Sequence, residues 1–84
     1  MKLRQSDLVW REIDGDMVLL DLASSSYLST NRTGTYLLEL LVEGRDRDAL
    51  VRALVDRFGI RDEIAGADTD AFIAELKQQK LLVD

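Results

Sequence analysis

The chain has 84 residues, a net charge of -5 and 46% hydrophobic content, which fits one small domain over residues 1–84 with a single modest core. It has no Cys and no His, which excludes disulfides, thiolate nucleophiles and zinc–thiolate sites and removes the commonest general base and metal ligand. The 16 acidic residues against 11 basic ones disfavour nucleic acid, whose binding rests largely on Lys and Arg at phosphates.

The first ten residues, MKLRQSDLVW, start with a positive charge but hold no apolar signal core. No run in the chain nears the roughly 20 apolar residues that cross a bilayer. With cysteine absent, the cytoplasm is the expected compartment, with no membrane partner. LVWREI and MVLLDL flank Asp14-Gly15-Asp16, and Asp-Gly between such runs predicts a hairpin because Gly tolerates positive φ. In the second run Val18, Leu20 and Leu22 share one side, and Met17, Leu19 and Asp21 the other. The first set is expected to face the core. SSYLST reads as a third strand after a turn at Ala23 to Ser25, since Tyr and Thr favour extended backbone. The same stretch also reads as a polar loop.

Asn31 predicts a helix N-cap, with the helix running to about Glu43 and stopping at Gly44. Leu37, Leu38 and Leu41 form its buried stripe, and Gly34 allows close approach at its first turn. A second helix begins at Asp46 or a neighbour, with Asp48 near its positive end. Leu50, Ala53, Leu54 and Phe58 recur at helical spacing beside Val51 and Val55, and Gly59 ends it. IRDEIAGA is expected to be a linker loop. Asp68 then caps a third helix to about Gln79, with Phe72, Ile73 and Leu76 as its stripe, and Leu81, Leu82 and Val83 pack back on the core. Three strands followed by three helices predict an α+β domain with a small antiparallel sheet.

No catalytic constellation emerges. Ser24, Ser25 and Ser26 lack an activating base. Asp62, Glu63, Asp68 and Asp70 do not follow an EF-hand loop, and acidic residues ahead of a helix serve its dipole. Gly44-Arg45-Asp46 has no Walker lysine. Trp10 reads as a sheet anchor. The expectation is a protein that is not an enzyme and needs no cofactor or metal.

One segment stands out. From Leu22 to Asn31 there is no charged residue in a chain that is 32% charged. Sheet edges are usually blunted by Lys, Glu, Pro or a bulge. If Ser26 to Thr30 is the outer strand, its N–H and C=O groups are left for an incoming peptide strand. The competing reading has the edge covered by the third helix or the C-terminal tail.

Tyr27, Leu28, Asn31 and Gly34, then Gly44, then Asp68, Phe72, Ile73, Leu76, Leu81 and Leu82 follow an ordered pattern over most of the chain. In that pattern the chain resembles the PqqD-like family of peptide-binding modules known as RiPP recognition elements. Three positions depart from it: Thr30 for Leu, Thr69 for Val, and Lys80 for Gly. Lys80 implies a last helix that ends without a left-handed glycine.

The resemblance implies a winged helix-turn-helix-like fold and a non-catalytic role. The leader of a ribosomally made precursor peptide would add as a strand beside the third strand, against the third helix. A free-standing chain of this kind resembles the lasso-peptide version, whose partners are the leader peptide, a cysteine protease that removes it, and an ATP-dependent cyclase. The pyrroloquinoline quinone version, a peptide chaperone for a radical SAM enzyme, typically carries a Pro-Glu pair before the Asn, where this chain has Ser-Tyr-Leu-Ser. A small winged-helix DNA-binding protein shares the helix layout, but its recognition helix would carry Asp68, Asp70 and Glu75. The expected peptide site comprises Ser26, Tyr27, Leu28, Ser29 and Thr30 on the strand, and Asp68, Ala71, Phe72 and Glu75 on the helix. Tyr27, Leu28 and Ser29 would offer backbone groups, and Ala71 would leave room for a side chain. Asp68 and Glu75 would attract a basic residue, or serve only as a cap and solvent-exposed charge.

Overall fold

The structure, a computed structural model, describes residues 1–83. In chain order it has β1 (Lys2–Leu3), β2 (Leu8–Ile13), β3 (Asp16–Asp21), β4 (Ser26–Thr30), α1 (Arg32–Glu43), α2 (Arg47–Phe58), α3 (Asp62–Gln78) and β5 (Leu82–Val83). The architecture is α+β, as expected. β2, β3 and β4 form an antiparallel sheet in that order.

Local chemistry fixes the hairpin. Asp14 and Gly15 both have positive φ, 53° and 87°, the two-residue turn whose twist matches its flanking strands. Ile13 therefore faces Asp16, and the register runs back to Leu8 opposite Asp21.

The sheet shows the reverse of the expected face to the core. Met17 and Leu19 are buried, while Leu20 and Leu22 are exposed and Val18 is half-buried. Asp21 falls on the buried side, and its partners explain why it can. Arg4 Nη2 donates to Asp21 Oδ1 at 2.5 Å, the Ala23 N–H donates to the same oxygen at 3.1 Å, and Ser24 Oγ donates to Oδ2 at 2.9 Å. Burial alone would raise the Asp21 carboxyl. The hydrogen bonds from Ser24, Arg4 and Ala23 outweigh it and hold the group below its ordinary value. Arg4 also donates to the carbonyls of Ser6 and Lys80, so one guanidinium ties the sheet to both end segments.

α1 and α2 are bounded as their caps dictate. The Asn31 side chain accepts from the Gly34 N–H at 3.0 Å, and that of Asp46 from the Ala49 N–H at 2.8 Å. Gly44 and Gly59 end the two helices at positive φ. Leu38, Leu41, Leu50 and Leu54 meet Leu19, Leu76 and Leu81 in the core.

α3 starts earlier than expected. Ile60 to Ala67 is not a linker loop; all but its first two residues are helical. Arg61 is the N-cap without a side-chain cap bond, and Asp62 and Glu63 supply the acidic first turn. Asp68 is therefore a mid-helix residue and not a cap. Gly66 sits inside the helix where Arg47 passes: a Cβ there would lie 3.2 Å from Arg47 Nη2. Arg47 continues across to Asp70, which it grips through two nitrogens at 2.7 and 3.1 Å.

The far end of α3 closes on Lys80, which itself takes the left-handed conformation at φ 60°. The Leu81 N–H donates to the Leu76 carbonyl and the Lys80 N–H to that of Lys77, the paired bonds of a Schellman ending. Leu76 and Leu81 are both fully buried, completing the motif's apolar contact. A lysine thus occupies a position whose geometry favours glycine. Leu82 and Val83 then pair with β1 in a two-stranded sheet that the residue pattern does not signal.

Candidate functional site

β4 is an edge strand, and the backbone pattern identifies its free groups. The Leu22 N–H donates to the Asp7 carbonyl, on the β2 side of β3. In an antiparallel ladder successive residues turn their N–H and C=O to opposite sides. Leu20 and Val18 therefore point to β2, and Asp21, Leu19 and Met17 point to β4. Their partners Ser26, Leu28 and Thr30 use their backbone groups inside the sheet. Tyr27 and Ser29 turn theirs to the open edge. Of the three residues expected to offer backbone groups, Leu28 does not, because it pairs with Leu19.

Neither expected cover lies alongside this edge as a strand. The C-terminal segment pairs with β1 instead, and among the described residues no strand lies beyond β4. α3 stands across from it, and the space between is an open cleft of about 510 Å³. Leu28, Ser29 and Thr30 line the strand side; Asp68, Ala71, Phe72 and Glu75 line the helix side. Ser26 and Tyr27 are not part of this lining. Ser26 Oγ lies 2.6 Å from Ser24 Oγ at the turn, and the Tyr27 ring lies on the outer face, 70% exposed.

The start of α1 forms the end wall that residue-by-residue reading missed. Asn31, Thr33 and Gly34 line the cleft, with Leu37 and Leu54 beneath them. In the sequence Asn31 and Gly34 mark a cap and a close approach. Their signal was present, and the same turn also bounds the cleft. A Cβ on Gly34 would stand 3.1 Å from Thr30 Cβ and 3.4 Å from Phe72 Cε1, so β4, α1 and α3 meet at this glycine. Thr30, which stands in place of Leu, keeps its hydroxyl away from need: Oγ1 lies 2.9 Å from Thr35 Oγ1 and 3.3 Å from the Met17 carbonyl.

The charges divide along α3. Asp70 is held by Arg47, whose hydrogen bonds draw its carboxyl below the ordinary value. Asp68 and Glu75 have no ion-pair partner among the described residues, and no Lys or Arg lines the cleft. The arrangement offers backbone donors and acceptors on one wall, apolar surface at the floor, and two free carboxylates on the other wall. The arrangement leaves room beside β4 for an extended segment, and no Lys lines it among the described residues.

Comparison with known proteins identifies the family and the fold. The family model described as coenzyme PQQ synthesis protein D (PqqD) matches residues 16–82. No curated protein matches significantly. Among solved structures, TbiB1 in complex with the TbiA(beta) leader peptide is similar, with a TM-score of 0.84, 25% identity and 100% of both chains covered. The lasso peptide synthetase B1 complexed with the leader peptide shares the fold, with a TM-score of 0.82, 22% identity and 100% of both chains covered.

Proposed function

The chain belongs to the PqqD family, and on that premise we propose that it is a non-catalytic module that binds the leader segment of a ribosomally made precursor peptide. The observation that carries the reading is the pair of outward-turned backbones at Tyr27 and Ser29, uncharged and set beside an open cleft. A leader strand beside β4 exchanges hydrogen bonds with those two residues. Its side chains opposite Leu28 and Thr30 enter the cleft towards Ala71 and Phe72. Those opposite Tyr27 and Ser29 lie on the outer face.

The module holds the precursor and presents it to the enzymes that process it. The solved structures it is similar to carry leader peptides, one of them in a lasso peptide synthetase B1, which supports the lasso pathway. Its further partners are then a leader peptidase of the cysteine-protease class and an ATP-dependent cyclase, all cytoplasmic.

The test is titration of the labelled leader of the precursor encoded beside this chain into wild type and Ser29→Pro. Proline removes the outward N–H and leaves the internal ladder whole, as edge strands tolerate. Affinity is expected to fall at least about tenfold while the circular dichroism spectrum is unchanged. A folded Ser29→Pro protein with wild-type affinity would overturn strand addition.

A further inference from the structure

Resting on strand addition at β4, we infer that the cleft selects by charge: it takes a peptide with an apolar inward side chain flanked, two positions away on either side, by Lys or Arg. Inward side chains of an extended peptide recur every second residue, about 6.7 Å apart. Asp68 and Glu75 are seven residues apart on α3, about 10 Å along its axis, and both line the cleft. Ala71 and Phe72 lie between them, so the helix wall is apolar at its centre and carboxylate at each end. An apolar residue over Ala71 places its inward neighbours towards those ends.

Three observations separate this from a generally acidic surface. The third carboxylate of this stretch, Asp70, is already taken by Arg47. Asp68 and Glu75 are in no ion pair and no side-chain hydrogen bond among the described residues. No cation of the chain lines the cleft to neutralise them. Both carboxylates are exposed, so each pairing is screened and changes affinity only about fivefold, more at low salt. The charges act on register and partner choice.

The experiment selects a random library of displayed peptides, about twelve residues long, on four immobilised proteins. These are wild type, Asp68→Lys/Glu75→Lys, the control Glu39→Lys/Asp56→Lys, and Ser29→Pro. The control makes the same change in net charge at two residues that line separate grooves around Tyr36. Wild type and control are expected to enrich Lys or Arg two positions from an apolar residue. The charge-swapped cleft is expected to enrich Asp or Glu there. Binders without a basic excess, or a basic preference lost equally in the control, would overturn charge selection and leave strand addition standing. No enrichment on wild type, or the same peptides on Ser29→Pro, would overturn strand addition itself.

Discussion

The two edges of the sheet are built differently. β2, at one edge, carries Arg11 and Glu12, and every residue from Val9 to Ile13 is exposed. By the alternation that frees Tyr27 and Ser29, its open backbone groups belong to Leu8, Trp10 and Glu12. β4, at the other edge, carries no charge, and its alternate residues Leu28 and Thr30 are buried. Glu12 of β2 lines a groove of about 370 Å³ with Arg32, Tyr36 and Glu39 of α1, whereas Leu28, Ser29 and Thr30 of β4 line the cleft walled by α3. Charge marks the edge away from the cleft walled by α3, and is absent from the edge beside that cleft.

That contrast can be broken deliberately. The largest effect is expected from moving one proline between edges. Ser29→Pro should weaken leader binding at least about tenfold, whereas Glu12→Pro, removing an outward N–H from β2, should leave it unchanged in the same titration. Equal losses from both would show that the edges do not differ in use.

Narrowing the space behind β4 comes next. Gly34→Ala places a methyl 3.1 Å from Thr30 Cβ. Alanine's better helix propensity offsets the crowding, so urea titration should show a stability change within about 1 kcal/mol. Calorimetry with the leader should show affinity several-fold lower.

Acid should act on the turn that launches β4. The Asp21 carboxyl lies below its ordinary value of 3.8 in the folded chain. Its contribution is complete above the ordinary value and is lost as pH falls through the lowered one. Thermal melts of wild type should therefore drop in Tm below about pH 4, and Asp21→Asn should start lower at neutral pH and show a shallower acid decline. A decline of equal steepness in both would remove Asp21 from the account. The smallest effect is expected at Lys80→Gly, which relieves a left-handed lysine. It should add about 0.5–1 kcal/mol to stability and leave leader affinity unchanged.

Much of this was legible in residue order because the signals are local. Asn31, Gly44, Asp46 and Gly59 bound their helices through caps that act within a turn, and Asp14-Gly15 sets its hairpin through its own dihedrals. The misreadings were all long-range. MVLLDL is apolar on both sides, so its pattern does not choose a face. Asp21 is satisfied on the buried side by Ala23 and Ser24 nearby and by Arg4, which lies 17 residues earlier. IRDEIAGA resembles a loop until Arg47, from another helix, explains its glycine. The peptide edge was visible as missing charge, but which residues own its free hydrogen bonds required the register. The carboxylates of the cleft look alike in sequence, and only the position of Arg47 sets Asp70 apart from Asp68 and Glu75.

The short sheet of β1 and β5 has a consequence for modularity. Lys2 lies opposite Val83, so the two ends of the described chain emerge side by side. A unit with adjoining ends can be grafted into a surface loop of a larger host without stretching either, as domain insertion requires. The uncharged edge lies in the other sheet, so such a graft would leave it open.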